Sequence, residues 1–291
     1  MNCLFTKEKK VIAVTGGYRG LGYSILELLC QSSEIKNKVL ILTSRKRDLG
    51  HEAVEKLKKE YPSAKSSLFY YHLDVSHGDS VSKFIGHMQS DFGHISVLYN
   101  NAALLHRNPP LQKRDTEIVE IFKTNVWGLI DLTEEALPII KYGGHIINMS
   151  SRLGQLRFSH QLQERFLDEH LNLDKLHHLY KEYHDSYLKD NLVKDGWDDK
   201  NQHYGSYSIS KVFVNAYTRI LDHRLKKKGI NIKVNSVCPG WCKTDMGGED
   251  APRHPIKGAE TPVWLESFPE EKNDSLSGNF YADKKIINWT I

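Results

Sequence analysis

The 291-residue sequence predicts an α/β fold on a doubly wound parallel sheet, and three observations carry that expectation. Apolar runs of strand length alternate with longer helical patterns. The runs are apolar on both faces, as strands covered by helices on either side must be. The first run leads directly into a glycine cluster that opens a helix. Residues 11–14, 39–42, 68–71 and 95–99 read as the first four strands. Residues 146–149 and 230–234 continue the series, and 278–281 add a last strand. The total is about seven strands. Helical patterns fall at 21–31, 47–60, 79–92, 115–140 and 204–228. No repeat or low-complexity linker divides the chain, so residues 1–291 read as one domain.

One segment breaks the alternation. Residues 152–203 are polar, rich in charge and histidine, and helical in period. Leu176, Leu179, Tyr183 and Tyr187 recur at spacings of three and four, which makes one apolar stripe. The segment is expected to be a helical insertion on the sheet.

Composition narrows the function classes. Hydrophobic residues make up 40% and charged residues 26%, the balance of a folded globular chain. A net charge of +4 with no continuous basic stripe gives no reason to expect nucleic acid. Cys3, Cys30, Cys238 and Cys242 are sparse and lack metal-ligand spacing, which suits a reducing compartment. No apolar signal core precedes Lys10 and no run has membrane-spanning length, so the expected location is cytoplasmic.

The glycine cluster is Thr15-Gly16-Gly17-Tyr18-Arg19-Gly20-Leu21-Gly22. At the end of strand one, such a turn lets a pyrophosphate lie against backbone while the helix N-terminus supplies free N–H groups. That is the logic of the Rossmann dinucleotide site, here with TGxxxGxG spacing. Strand two ends in Thr43-Ser44-Arg45-Lys46 with no carboxylate to accept from ribose hydroxyls. Arg45 and Arg19 together suit a 2′-phosphate, which a guanidinium binds through two donors, so the expected cofactor is NADP(H). Asp74, followed by Val75, ends strand three, where a carboxylate can accept from the adenine amine or cap the next helix. Asn100-Asn101-Ala102-Ala103 ends strand four, where small residues let a cofactor approach.

Tyr207 and Lys211 lie one helical turn apart on a shared face. A free tyrosine titrates at about 10, and a neighbouring ammonium favours its phenolate, so such a pair can run acid–base chemistry near neutral pH. Alone the pair is a cheap motif. TGxxxGxG, Asn100-Asn101-Ala102-Ala103, Asn125, Ser151 and Tyr207 with Lys211 make up a constellation, in an order that resembles the short-chain dehydrogenase/reductase superfamily. The resemblance is closest to its monomeric NADPH-dependent carbonyl reductases and the related plant reductases of terpenoid and alkaloid ketones. Cys238-Pro239-Gly240-Trp241-Cys242-Lys243-Thr244-Asp245-Met246 and Gly258-Ala259-Glu260-Thr261-Pro262-Val263 are similar to segments of that branch.

The resemblance implies roles. Tyr207 exchanges a proton with the substrate oxygen, Ser151 bonds that oxygen, and Lys211 holds the nicotinamide ribose and biases Tyr207 toward ionisation. Asn125 positions a water that relays protons from Lys211. Thr244 clamps the carboxamide, and Trp241 walls the substrate pocket. Cofactor contacts extend over Gly16, Tyr18, Arg19, Gly20, Leu21, Gly22, Arg45, Asp74, Val75, Asn101, Tyr207, Lys211, Pro239 and Thr244. Ser151 is preferred to Ser150 by strand alternation and by the family pattern.

Three departures stand out. Ala103 occupies a position where the family has glycine. Arg152 follows Ser151 where relatives often carry an uncharged residue, and a surface salt bridge is the preferred reading over a contact to an acidic substrate. Fifty-five residues lie between Ser151 and Tyr207, and the resembled branch also has a helical insert there. It implies a monomer, because the insert covers a helix face that otherwise pairs subunits. His160, His170, His177, His178 and His184 of the insert invite a zinc site, but a polar segment in a family that needs no metal favours solvent-facing histidines.

The resulting expectation is a soluble NADPH-dependent reductase of ketones, aldehydes or quinones of moderate size. An alcohol dehydrogenase working in oxidation, or a non-catalytic dinucleotide sensor on the same fold, are the competing readings. Neither the substrate nor its stereochemistry is legible.

Overall fold

The computed structural model describes residues 9–106, 114–197 and 205–290. Cys3, Lys7, Glu8, residues 198–203 of the insertion and the expected helix start at Tyr204 lie outside them. Within them eight strands form one sheet in the order β3-β2-β1-β4-β5-β6-β7-β8. The strands are β1 (Lys10–Val14), β2 (Lys38–Ser44), β3 (Leu68–His72), β4 (Ile95–Asn100), β5 (Ile140–Met149), β6 (Lys233–Cys238), β7 (Phe280–Ala282) and β8 (Lys285–Ile286). Pairing is parallel from β3 through β7, and β8 folds back antiparallel on β7. Strand order reverses between β1 and β4. In such sheets the crevice outside the carboxyl ends at the reversal is the ligand site.

Helices cover both faces, which is why β1, β2 and β4 could be apolar throughout. On one face lie α1 (Gly20–Cys30), α2 (Arg47–Glu60) and α9 (Pro255–Glu266), closing a core of Ile12, Val14, Ile25, Leu26 and Leu42. On the other lie α3 (Gly78–Asp91), α4 (Arg114–Phe122), α5 (Gly128–Ala136) and α8 (Gly205–Lys227), over Ala13, Ile41, Leu98 and Ile146. The expected single helix over 115–140 is divided by a π-turn at Lys123–Trp127. No helix among the described residues is long and apolar enough to cross a membrane.

The insertion between β5 and α8 folds as α6 (His160–Leu167) and α7 (Leu173–Leu188). Leu176, Leu179 and Tyr183 of its stripe are buried. Tyr187, half-buried, donates its hydroxyl to Glu117 Oε2 at 2.7 Å. Tyr180 packs on Phe122 with centroids 4.6 Å apart, and Phe122 on Phe213 at 5.2 Å, so α7 lies over α4 and α8.

Several boundaries differ from expectation. The sixth strand starts at Lys233 rather than 230, because α8 ends at Lys227, Gly229 turns the chain at φ +68° and residues 230–232 complete the link. The seventh starts at Phe280, after Gly278 at φ +82°. β8 was not expected. Its link to β7 is the two-residue turn Asp283-Lys284, both at positive φ, the conformation that continues the strand twist in a hairpin. Helix α9 escaped the helical reading because Pro255 and Pro262 resemble loop punctuation. Pro255 in fact takes the first turn, where its missing N–H costs nothing.

Candidate active site

The glycine loop joins β1 to α1 at the strand-order reversal. Gly16 and Gly20 take φ of +64° and +55°, a region that a side chain strains. Gly22 is required for another reason: a Cβ there would sit 2.5 Å from both Asn101 Nδ2 and the Gly16 carbonyl oxygen. Asn101, expected to touch cofactor, lines the cleft and ties the end of β4 to this loop. Its amide donates to the Thr15 carbonyl at 2.8 Å, while Thr15 Oγ1 accepts from the N–H groups of Asn101 (2.9 Å) and Ala102 (2.8 Å). No side chain caps the N-terminus of α1, so its first N–H groups remain free for a ligand. Beside them opens a cleft of about 590 Å³, lined by Gly16, Tyr18, Arg19, Gly20, Leu21 and Gly22 at one end and by Ser151, Tyr207 and Trp241 at the other. A dinucleotide fits this cradle.

The cleft's charged residues are placed less simply than the sequence suggests. Arg45, exposed after β2, borders the cleft and has no ion pair among the described residues. Arg19 stacks on Tyr18 with its guanidinium 5.3 Å from the ring centroid, and its NH1 pairs with Asp245 across the cleft. A 2′-phosphate at Arg19 would therefore have to compete with Asp245. Both partners are exposed, so the pair is worth about 1 kcal/mol or less. Asp245→Asn is expected to tighten NADPH binding by about two- to fivefold in a fluorescence titration; weaker binding would show that Asp245 supports the site instead. Asp74 and Val75 also line the cleft. Asp74 Oδ1 accepts from the Ser76 N–H (3.0 Å) and hydroxyl (2.7 Å), so it builds its own turn rather than capping α3, which starts after His77. Partial burial pushes this carboxyl up, but the Ser76 bonds and His77 pull it below the usual range.

At the other end, Tyr207 and Lys211 do share a face of α8. Lys211 Nζ lies 5.5 Å from the Tyr207 ring centroid and donates to the Met149 carbonyl at 2.8 Å. Lys211 is buried, and burial lowers its pKa to about 8. Tyr207 is half-buried, and desolvation raises its phenol well above the ordinary value. That upward shift comes from burial, with Lys211 Nζ turned to the Met149 carbonyl.

Two serines end β5. Ser150 is buried and donates to the Lys211 carbonyl at 3.3 Å. Ser151 faces the cleft, and its Oγ accepts from Leu153 N–H at 3.1 Å, which leaves its own hydrogen to donate. Asn125 is fully buried. Its side chain is buried in the π-turn, donating to Leu104 O (2.9 Å) and Ser210 Oγ (3.1 Å) and accepting from Leu104 N–H (2.6 Å). The amide is thus bonded to the Leu104 loop and α8, not to Lys211.

The loop after β6 closes the cleft. Trp241 is half exposed and donates its indole N–H to Gly247 O at 2.8 Å. Thr244 Oγ1 accepts from Gly247 N–H at 3.0 Å, with its methyl toward Gly20. The Pro239 carbonyl accepts from Arg253 NH1 at 3.0 Å. Arg152 lies 3.7 Å from Asp283, in an exposed pair of the kind expected. Ala103 lines the cleft. Among the described residues no group of three His, Cys, Asp or Glu could hold a metal. His177 stacks on Trp127 at 4.2 Å rather than facing solvent alone. Sequence reasoning gave no role to Asp245, the Met149 carbonyl or Leu104. Asp245 was visible inside the Thr244-Asp245-Met246 stretch, whereas a backbone carbonyl leaves no residue signature.

This class of fold and site agrees with sequence comparison. The short chain dehydrogenase family profile matches residues 10–163 and 196–254. The chain belongs to that family. It is 32% identical over 293 aligned positions to carbonyl reductase [NADPH] 1 of Sus scrofa, covering 98% of this chain and 96% of that one. Among solved structures it resembles salutaridine reductase from Papaver somniferum, with a TM-score of 0.80 at 26% identity over 94% of this chain and 99% of that one. Menthone neomenthol reductase from Mentha piperita follows with a TM-score of 0.76 at 25% identity, covering 94% and 98%.

Proposed function

We propose that this chain reduces a ketone, aldehyde or quinone to the alcohol with NADPH. The observation that carries the reading is the convergence of Ser151, Tyr207 and Lys211 on one cleft with the glycine loop. The curated and solved relatives named above support the direction and the cofactor. NADPH supplies the hydride that the carbonyl carbon receives. Tyr207 donates its proton to the carbonyl oxygen, and Ser151 donates a hydrogen bond to the same oxygen, stabilising charge as it develops. Lys211 turns from Met149 O to the nicotinamide ribose and assists reprotonation of Tyr207. Because the Asn125 amide is committed to Leu104 and Ser210, its part in that relay falls to its main chain, where a π-turn loosens the helical bonding. Trp241 and Leu104 wall the substrate, Thr244 and Pro239 the nicotinamide, and Arg45 with Arg19 takes the 2′-phosphate. The insertion over α4 and α8 supports a monomer, and we place the protein in the cytoplasm.

Cofactor choice tests this assignment. The wild type should prefer NADPH to NADH by about 100-fold in kcat/KM, and Arg45→Ala should cut that ratio about tenfold, the loss of a charge-assisted bond. Equal use of NADH by the wild type would remove the 2′-phosphate role. pH gives a second test. Lys211 has a lowered pKa of about 8, so its ammonium form is present below that pH and lost above it. Steady-state kcat/KM should therefore decline as pH rises through about 8. A profile flat to pH 10 would contradict a role for the ammonium.

A further inference from the structure

We propose that Trp289, near the end of the chain, is a positioning residue that holds Ser151 in place through the carbonyl of Gly154; the proposal rests on the catalytic role assigned to Ser151. Ser151 ends β5 and opens a tight turn, Arg152–Gly154. The orientation of its hydroxyl depends on that turn, because Oγ accepts from Leu153 N–H inside it. The turn's far end is held by Gly154. Its carbonyl accepts from the Trp289 indole N–H at 2.8 Å and from Asn215 Nδ2 at 3.0 Å. Gly154 also packs so closely on α8 that a Cβ would lie 2.7 Å from the Lys211 carbonyl carbon and oxygen. The turn bearing Ser151 is thus pressed against the backbone of the lysine beside which Tyr207 works.

The tail that carries Trp289 is fastened along its length. Leu156 N–H donates to Trp289 O at 2.9 Å, Gln155 Nε2 donates to Asn288 O at 2.9 Å, and Leu156 bridges to Thr290. Below, the indole is buried, with the Arg219 guanidinium 5.1 Å from its centroid. Lys211, Asn215 and Arg219 succeed one another at intervals of four along α8, so one stripe of the helix meets Met149 O, Gly154 O and Trp289 in turn. The chain end closes the frame between Ser151 and α8. Displacements of about 1 Å at a reacting group cost up to about 100-fold in rate, so a hydrogen bond two residues beyond the turn's start can govern turnover.

The test is a double-mutant cycle on the full chain. Trp289→Phe keeps a ring in place and removes the N–H. It should lower kcat for carbonyl reduction about tenfold while leaving the Kd for NADPH within about twofold. In a Ser151→Ala background the same change should alter kcat less than about twofold, because the residue it positions is gone. Unchanged kcat in Trp289→Phe, or an equal loss in both backgrounds, overturns the proposal; the second result assigns Trp289 to stability alone. Gln155→Ala removes the tie to Asn288 without opening the core. It should lower kcat about two- to threefold, again only when Ser151 is present, and it decides the matter if Trp289→Phe does not fold. Ser151→Ala alone keeping wild-type kcat would instead sink the catalytic reading on which the proposal rests.

Discussion

Tyr207→Phe should lower kcat by about 10²- to 10⁴-fold while the protein stays folded and binds NADPH normally. The range is what a positioned general acid contributes, and no other group at this end of the cleft is placed to replace it. Lys211 is a poor substitute: its ammonium lies 5.5 Å from the Tyr207 ring centroid and is assigned to the nicotinamide ribose rather than to the substrate oxygen. The fold should tolerate the change, since the Tyr207 hydroxyl has no hydrogen-bond partner among the described residues and its removal orphans nothing. Steady-state turnover, with NADPH affinity from fluorescence quenching, checks both halves. A variant that binds NADPH and keeps full turnover would falsify the proton-donor assignment.

Gly22→Ala is expected to be the most damaging single substitution in the cofactor cradle. The added methyl meets Asn101 Nδ2 and the Gly16 carbonyl at 2.5 Å, and neither can retreat freely. Asn101 is fixed by its bond to Thr15 O, and Gly16 already occupies a left-handed conformation. Overpacking of this kind costs about 1–3 kcal/mol of stability. The distortion also falls on the backbone that must lie against the pyrophosphate, so NADPH affinity should fall at least about tenfold, a loss of about 1.4 kcal/mol in binding. Gly86→Ala in α3 is the matched control, because nothing lies within 4 Å of its added carbon. It should stabilise the protein by about 0.5–1 kcal/mol, the ordinary helix preference for alanine. Equal melting temperatures and equal affinities for the two variants would mean that the loop is not tightly packed.

The sheet was legible because its strands are buried on both faces. Continuous apolar runs such as Ile12-Ala13-Val14 and Val39-Leu40-Ile41 cannot be anything exposed. Boundaries were lost where apolar residues serve a turn, as at Ile230 and Ile232, or where prolines inside a helix imitate a loop, as at Pro255 and Pro262. The gathering of Ser151, Tyr207 and Lys211 at one cleft was readable from residue type and order, because few other functions need that set. What escaped were roles set by partners rather than by residue identity. Asn101 and Asn125 carry the expected side chains, but residue type could not show their bonds to Thr15 and to Leu104 and Ser210. Arg19 was read as a phosphate ligand with no sight of Asp245, which lies 226 residues away in the chain. The desolvation of Tyr207 and the bond from Lys211 to the Met149 carbonyl act through space, and neither leaves a mark in sequence.

Hydride and proton transfer to a carbonyl in this cleft is tested most directly by NADPH consumption by the purified protein with a panel of ketones, aldehydes and quinones. Turnover is expected with at least one of them, with one alcohol, or one hydroquinone, formed per NADPH oxidised. Micromolar NADPH binding without turnover on any of them would contradict it, and would leave a dinucleotide sensor as the function of the fold.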